Sequence, residues 1–181
     1  MEVSAREATA LDAGDVQRLA ALALEELTGE RGADLWFRVD ARPQLSELVD
    51  LASAPSRSSA VLFVGTVDDA VVGFAAGHLA ATHDGAALGV VTELYVEGDG
   101  RQVGVGDVLL CALMDRFRSL GAIGVDSWAL PGARLTKNFY EAHGFTARAL
   151  IVHHRFDVAQ KDDQRADVAA DVAADDQETA R

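Results

Sequence analysis

Three runs rich in strand-forming residues, 60–67, 71–81 and 86–96, follow one another with only a few residues between them. A parallel connection needs a crossover of about a dozen residues or more. The three runs are therefore expected to pair antiparallel, with Asp68-Asp69-Ala70 as a hairpin turn between the first two. This meander is the frame on which the rest of the chain has to pack.

The flanking segments alternate in type. Residues 3–9 alternate weakly and read as a first strand. Residues 12–28 read as a helix, since Val16, Leu19, Ala20, Ala23 and Leu27 recur at three- and four-residue spacing. Gly29 stops it. A second, shorter helix is expected over 43–54, with Pro43 at its start where the missing N–H costs nothing. Residues 53–59, rich in Ser and Pro, read as a loop. After Gly98-Asp99-Gly100, residues 105–120 form a helix with Leu109, Ala112, Leu113, Phe117 and Leu120 on one face. Residues 123–130 follow as a strand, 135–143 as a helix closed by Gly144, and 145–156 as a last strand. A strand–helix–strand unit after Gly100 demands a parallel crossover. The expected fold class is therefore α/β (α+β mixed): a mixed sheet with helices on both faces.

At 181 residues, 49% hydrophobic and 25% charged, the chain has the size and composition of one globular domain. The last part differs. From Asp157 to Arg181 there are eight acidic residues, three basic ones and no aromatic, Leu or Ile. The domain is expected to span 1–156, with 157–181 a disordered acidic Ala/Asp-rich tail. The net charge of −13 argues against a nucleic-acid partner, because phosphate contacts need clustered Lys and Arg. It leaves room for cationic substrates. The longest strictly apolar run on helix-forming residues, Leu19 to Leu24, is six residues, against about 20 for a bilayer span. The sequence opens without a basic-then-apolar pattern, so no signal peptide is expected and the location expected is cytoplasmic. A single cysteine, Cys111, excludes an internal disulfide and reads as a core residue. No metal site is expected: His78, His83, His143, His153 and His154 show no ligand spacing with acids.

Chemistry concentrates in 92–106, Thr-Glu-Leu-Tyr-Val-Glu-Gly-Asp-Gly-Arg-Gln-Val-Gly-Val-Gly. A strand ends, and a glycine-rich turn opens a helix. Such a turn aims free backbone N–H groups and the positive end of the helix dipole at one point, which suits a phosphate. A P-loop needs Gly-Lys-Ser/Thr, whereas Gly106 is followed by Asp107-Val108. A dinucleotide fingerprint needs a glycine where Leu109 stands. On this chemistry alone, the turn either binds an anion or merely joins a strand to a helix.

Arg101-x-x-Gly104-x-Gly106, after Leu94-Tyr95-Val96 and before an amphipathic helix, resembles the pyrophosphate-binding motif of the GCN5-related N-acetyltransferases (GNAT family). Asn138-Phe139-Tyr140-Glu141-Ala142-His143-Gly144-Phe145 resembles that family's helix-to-strand signature. The two motifs stand in the family's order, separated by a helix and a strand. The resemblance covers about 3–156 and implies a GNAT-like, mostly antiparallel sheet of six to seven strands.

The resemblance also implies a function: transfer of an acetyl group from acetyl-CoA, as cosubstrate, to a primary amine on a small molecule or peptide N-terminus, by direct attack. Backbone N–H groups of Gln102, Val103, Gly104, Val105 and Gly106, with Arg101, would hold the pyrophosphate. Leu94, Tyr95 and Val96 would pair with the pantetheine arm along a strand edge that splays from its neighbour. Tyr140 would protonate the leaving thiolate, and Glu93 would take the amine's proton. Trp36-Phe37 fall where the family's acceptor loop lies. Dimers are frequent in the family, which makes a homodimer an expectation. Ala133 replaces an Asn that many relatives use on the cofactor, and Asp107 stands where a small hydroxyl residue is common. These departures leave a second reading open, a degenerate acyl-CoA-binding module without catalysis.

Overall fold

The computed structural model describes residues 1–34, 50 and 60–156. The expected helix over 43–54, the loop over 53–59, Trp36-Phe37 and the acidic tail lie outside the described residues. The chain divides into two units, Met1–His143 and Gly144–Arg181.

The first unit is built on a five-stranded sheet in the order β1-β2-β3-β4-β5. The strands are β1 (Val3–Glu7), β2 (Ala60–Val67), β3 (Ala70–Ala81), β4 (Ala87–Val96) and β5 (Ala122–Asp126). The first four pair antiparallel, and β5 lies parallel to β4. The helices are α1 (Ala13–Thr28), α2 (Val105–Ser119) and α3 (Arg134–Ala142). The meander and the parallel crossover stand as the spacing requires.

The core has two layers. On one face Val16, Leu19 and Ala23 of α1 pack with Val64, Phe74 and Tyr95. On the other, Val105, Leu109, Leu113 and Phe117 of α2 pack with Phe63, Ala75 and Val91. The second contact is close because glycines lie beneath it. A Cβ on Gly77 would stand 2.5 Å from the Val90 carbonyl oxygen and 2.7 Å from Phe117 Cζ. One on Gly89 would stand 2.6 Å from the same ring. Phe117 therefore seats directly on sheet backbone.

Asp12, 4% exposed, closes the entry to α1. Arg6 donates to both of its carboxylate oxygens, at 2.8 and 2.7 Å. The Thr9 backbone N–H and hydroxyl donate to Oδ2 at 2.7 and 2.8 Å. The Arg6 hydrogen bonds, opposed by burial and helped by Thr9, hold the Asp12 carboxyl down at about 2.

Several expectations need correction. The sheet of Met1–His143 has five strands among the described residues, where six to seven were expected. Residues 145–156 form no strand, and Leu150, Ile151, Val152 and Phe156 are largely exposed. Strand composition favours a pleated, half-buried surface but does not itself supply a ladder. β5 ends at Asp126 rather than 130, because its pairing with β4 ends there. Cys111 is exposed, not core, and Leu120 is 39% exposed. The buried stripe of α2 runs through Leu109, Leu110, Leu113 and Phe117 and rotates past both.

This packing has measurable consequences. Gly77→Ala should cost about 1–3 kcal/mol by overpacking, and should cost less in a Phe117→Ala background. Denaturant titration of the four-member cycle reads both. Asp12's folded pKa lies below its ordinary value, so its contribution is full above about pH 4 and is lost as pH falls through about 2. The shift from 3.8 to about 2 corresponds to about 2 kcal/mol. Asp12→Asn should lose that stability at neutral pH and flatten the curve of stability against pH in that window.

Candidate active site

The site starts at an irregularity in β4. Ala76 of β3 pairs with Glu93, but the next β3 residue, Gly77, pairs with Val91, so Thr92 is an extra residue in the ladder. A bulge of this kind bends the strand and re-aims its side chains. The face-switch is visible in the core. Val91 packs with α2 whereas Tyr95 packs with α1, although a regular strand would send both to one face. Glu93 pairs with Ala76, which lies in the α1-side cluster, so Glu93 shares the face of Tyr95.

At the bulge the pairing of β4 with β5 ends. The last pair between them is Val90 with Asp126. Among the described residues no strand pairs with the β5-side edge of β4 from Val91 to Val96. Leu94, Tyr95 and Val96 lie beyond the last pair with β5, whose own last residue is Asp126. Leu94 and Val96 face the α2 layer, and Tyr95 the α1 layer.

Directly after this edge comes the glycine turn. Gln102 and Gly104 both adopt positive φ, +66° and +97°, and Gly104 is the residue before α2. The N–H groups of Val105, Gly106 and Asp107 then begin a helix and have no acceptor within it. A Cβ on Gly104 would meet nothing closer than Asp107 Oδ2 at 3.8 Å, so the space over the turn is open. Val105 is buried in the core and Val103 is partly buried, leaving their backbones to face the turn. An open glycine at a helix N-terminus beside a free strand edge fits an extended ligand with an anionic group at one end.

Two residues of the motif carry other contacts. A Cβ on Gly106 would come 3.3 Å from the Phe139 ring, so this glycine admits α3. Arg101 donates from Nε to the Val96 carbonyl at 2.7 Å and from a terminal nitrogen to Glu26 of α1 at 2.6 Å. Its guanidinium stands 5.4 Å from the centre of the Tyr95 ring. Tyr95 donates its hydroxyl to the same Glu26 at 2.8 Å. Burial works against the Glu26 carboxylate, but these hydrogen bonds outweigh it and hold its pKa below the ordinary value. Burial, with Glu26 beside it, pushes the Tyr95 phenol up to about 12. Arg101 thus ties the end of β4 to α1.

Glu93 and Tyr140 are both buried, at 7% and 8% exposure. Burial raises the Tyr140 pKa; a hydrogen bond with Ser127 opposes it, and the charge of Glu93 adds to it. The two expected catalytic groups therefore feel one another electrostatically, and Tyr140 is held as a neutral phenol. Ser127 follows β5 where that strand ends. Nothing in the sequence marked it, because its role comes from where β5 stops. Glu26 was also missed, since one acid on the rim of an amphipathic helix carries no local signal. Among the described residues no group of three or more His, Cys, Asp or Glu side chains could hold a metal ion. No helix among them is long and apolar enough to cross a membrane.

Residues 58–147 match the family model of the acetyltransferase (GNAT) domain. No curated protein matches the chain. Solved structures do. A mutant of the BH1408 protein from Bacillus halodurans superposes with a TM-score of 0.68 at 18% identity, covering 86% of this chain and 99% of that one. The aminoglycoside acetyltransferase meta-AAC0020 from an uncultured soil metagenomic sample, in complex with sisomicin, gives 0.60 at 17% identity, covering 86% and 96%. AAC(6')-Iy, in complex with the bisubstrate analog CoA-S-monomethyl-acetylneamine, gives 0.63 at 16% identity, covering 87% and 99%. At these identities the structures speak to the fold alone. The domain match, which spans the bulged strand, the glycine turn and the tyrosine helix, shows that this chain belongs to the GNAT acetyltransferase family.

Proposed function

We propose that the protein transfers an acetyl group from acetyl-CoA to a primary amine by direct attack. The observation that carries this reading is the edge of β4 left unpaired beyond Val90, with the open glycine turn after it. When bound, acetyl-CoA supplies an activated acetyl thioester.

The residues divide the work. The backbone from Gln102 to Gly106 and the N-terminus of α2 receive the pyrophosphate. The edge from Leu94 to Val96 receives the pantetheine amides as an added strand would be received. A backbone N–H near Val96 donates to the thioester oxygen, where negative charge develops. Glu93 accepts a proton from the amine, directly or through one water. The amine nitrogen bonds to the acetyl carbon as the carbon–sulfur bond breaks. The Tyr140 hydroxyl gives its proton to the departing sulfur. Ser127 orients that hydroxyl, and burial keeps it protonated until then. Arg101 acts by fixing the strand end rather than by touching phosphate, given its contacts to Val96 and Glu26.

A buried carboxylate at the cleft and the overall negative charge favour a cationic acceptor. Two fold neighbours were solved with aminoglycoside ligands or their analogs, so sisomicin belongs in an acceptor panel beside polyamines and peptide N-termini.

The reading is tested by CoA release from acetyl-CoA across that panel. Turnover on at least one amine is expected. Tyr140→Phe should lower kcat about a hundredfold with little change in KM for acetyl-CoA. Glu93→Gln should lower kcat on the same acceptor. Tight acetyl-CoA binding with no turnover on any amine would replace this reading by a binding module.

A further inference from the structure

Helix α3, which carries Tyr140, is attached through few side chains. Of its nine residues only Tyr140 is buried. Phe139 lays its ring over Gly106, and His143 follows at the helix C-terminus. The His143 ring makes two polar contacts. Nδ1 lies 2.8 Å from the Phe139 carbonyl oxygen, and Nε2 lies 3.0 Å from Asp107 Oδ1. Both partners are acceptors, so both bonds form only with hydrogen on both ring nitrogens. The imidazole also lies tilted against the Phe139 ring at 4.5 Å between centroids, and that ring meets Tyr140 edge-on at 5.6 Å.

The other end of this contact is informative. Asp107 stands in the first turn of α2, where a carboxylate is favoured by the helix dipole. A carboxylate there would repel a pyrophosphate if it faced the turn. Its Oδ1 pairs with His143 of the α3 C-terminus, while its Oδ2 is the atom nearest a Cβ built on Gly104. The same residue type is thus unfavourable for the anion site in isolation and useful for joining α2 to α3.

We infer that Asp107 and His143 form a positioning clasp, which sets the Tyr140 hydroxyl relative to the turn at the start of α2. The role of that turn and of Tyr140 in acetyl transfer rests on the function proposed above; the clasp itself rests on the contacts just given. Neither residue touches the reacting atoms. His143 is a positioning residue acting through Phe139 and Tyr140, and Asp107 anchors it.

The test uses the full chain. Amide hydrogen exchange of residues 134–142 is read first, without acetyl-CoA or acceptor. His143→Ala should speed it about tenfold, as expected for losing a charge-assisted hydrogen bond and a ring contact. Asp107→Asn should speed it about threefold, because that carboxylate is largely exposed. The double variant should match His143→Ala alone. His143→Arg, which can still donate to Asp107, should recover much of the protection. On an amine that turns over, His143→Ala should lower kcat about tenfold with KM for acetyl-CoA little changed. Unchanged exchange in His143→Ala, or additive effects of the two substitutions, overturns the clasp. Altered exchange with unchanged kcat overturns its role in positioning Tyr140. If His143→Ala fails to fold, Asp107→Asn and His143→Arg carry the same comparison. If no acetyl-CoA binds to the wild type, the proposed function fails, yet the exchange results still decide the clasp.

Discussion

A β-strand that leaves its neighbour exposes a row of backbone donors and acceptors, and those groups are stable only if something meets them. In this chain that constraint falls on β4. Thr92 is extra in its ladder with β3, and the strand's next residues have no β5 partner after the pair Val90–Asp126. Three features meet here. The edge from Val91 to Val96 is left without a β5 partner, the bulge turns Glu93 and Tyr95 onto the α1 face, and Ser127, the residue after β5, hydrogen-bonds Tyr140.

The surrounding packing keeps that geometry in place. α2 starts at the end of the freed strand, and it lies close to the sheet because Gly77 and Gly89 leave room for Phe117. This fixes where the N-terminus of α2 points. Arg101 fixes the strand end from the other face by holding the Val96 carbonyl and Glu26. Arg101 is thus held by contacts to the strand end and to α1. Gly106 likewise makes room for Phe139. This glycine of the motif is a packing requirement between helices.

Much of this was legible in the sequence, and the limits are physical. The meander followed from connections too short for a crossover, and α1 and α2 from their apolar spacing. Glu93, the freed edge from Leu94 to Val96, Gly104 and Tyr140 came from two motifs in order. What was missed depends on pairing or on distance in the chain. Residues 145–156 have strand composition, but a ladder needs a second strand, which composition does not supply. β5 stops at Asp126, where its pairing with β4 ends, and no local pattern records that. The contact of Arg101 with Glu26 joins residues 75 apart in the chain. The contact of Asp107 with His143 joins two motifs that had been read separately. Cys111 was misjudged because a helical face was read one step too wide, and a small rotation of α2 decides which residues meet the sheet.

The central claim is that the freed edge and the glycine turn form an acetyl-CoA site. Calorimetric titration of acetyl-CoA into the wild type, Gly104→Asp and Gly104→Asn tests it most directly. Both substitutions meet the same backbone demand at φ +97°, and only one adds a carboxylate where the pyrophosphate is read to sit. The account predicts micromolar binding to the wild type, retained in good part by Gly104→Asn and lost in Gly104→Asp, with all three folded by circular dichroism. No binding to the wild type, or equal binding by the Asp and Asn variants, would contradict it.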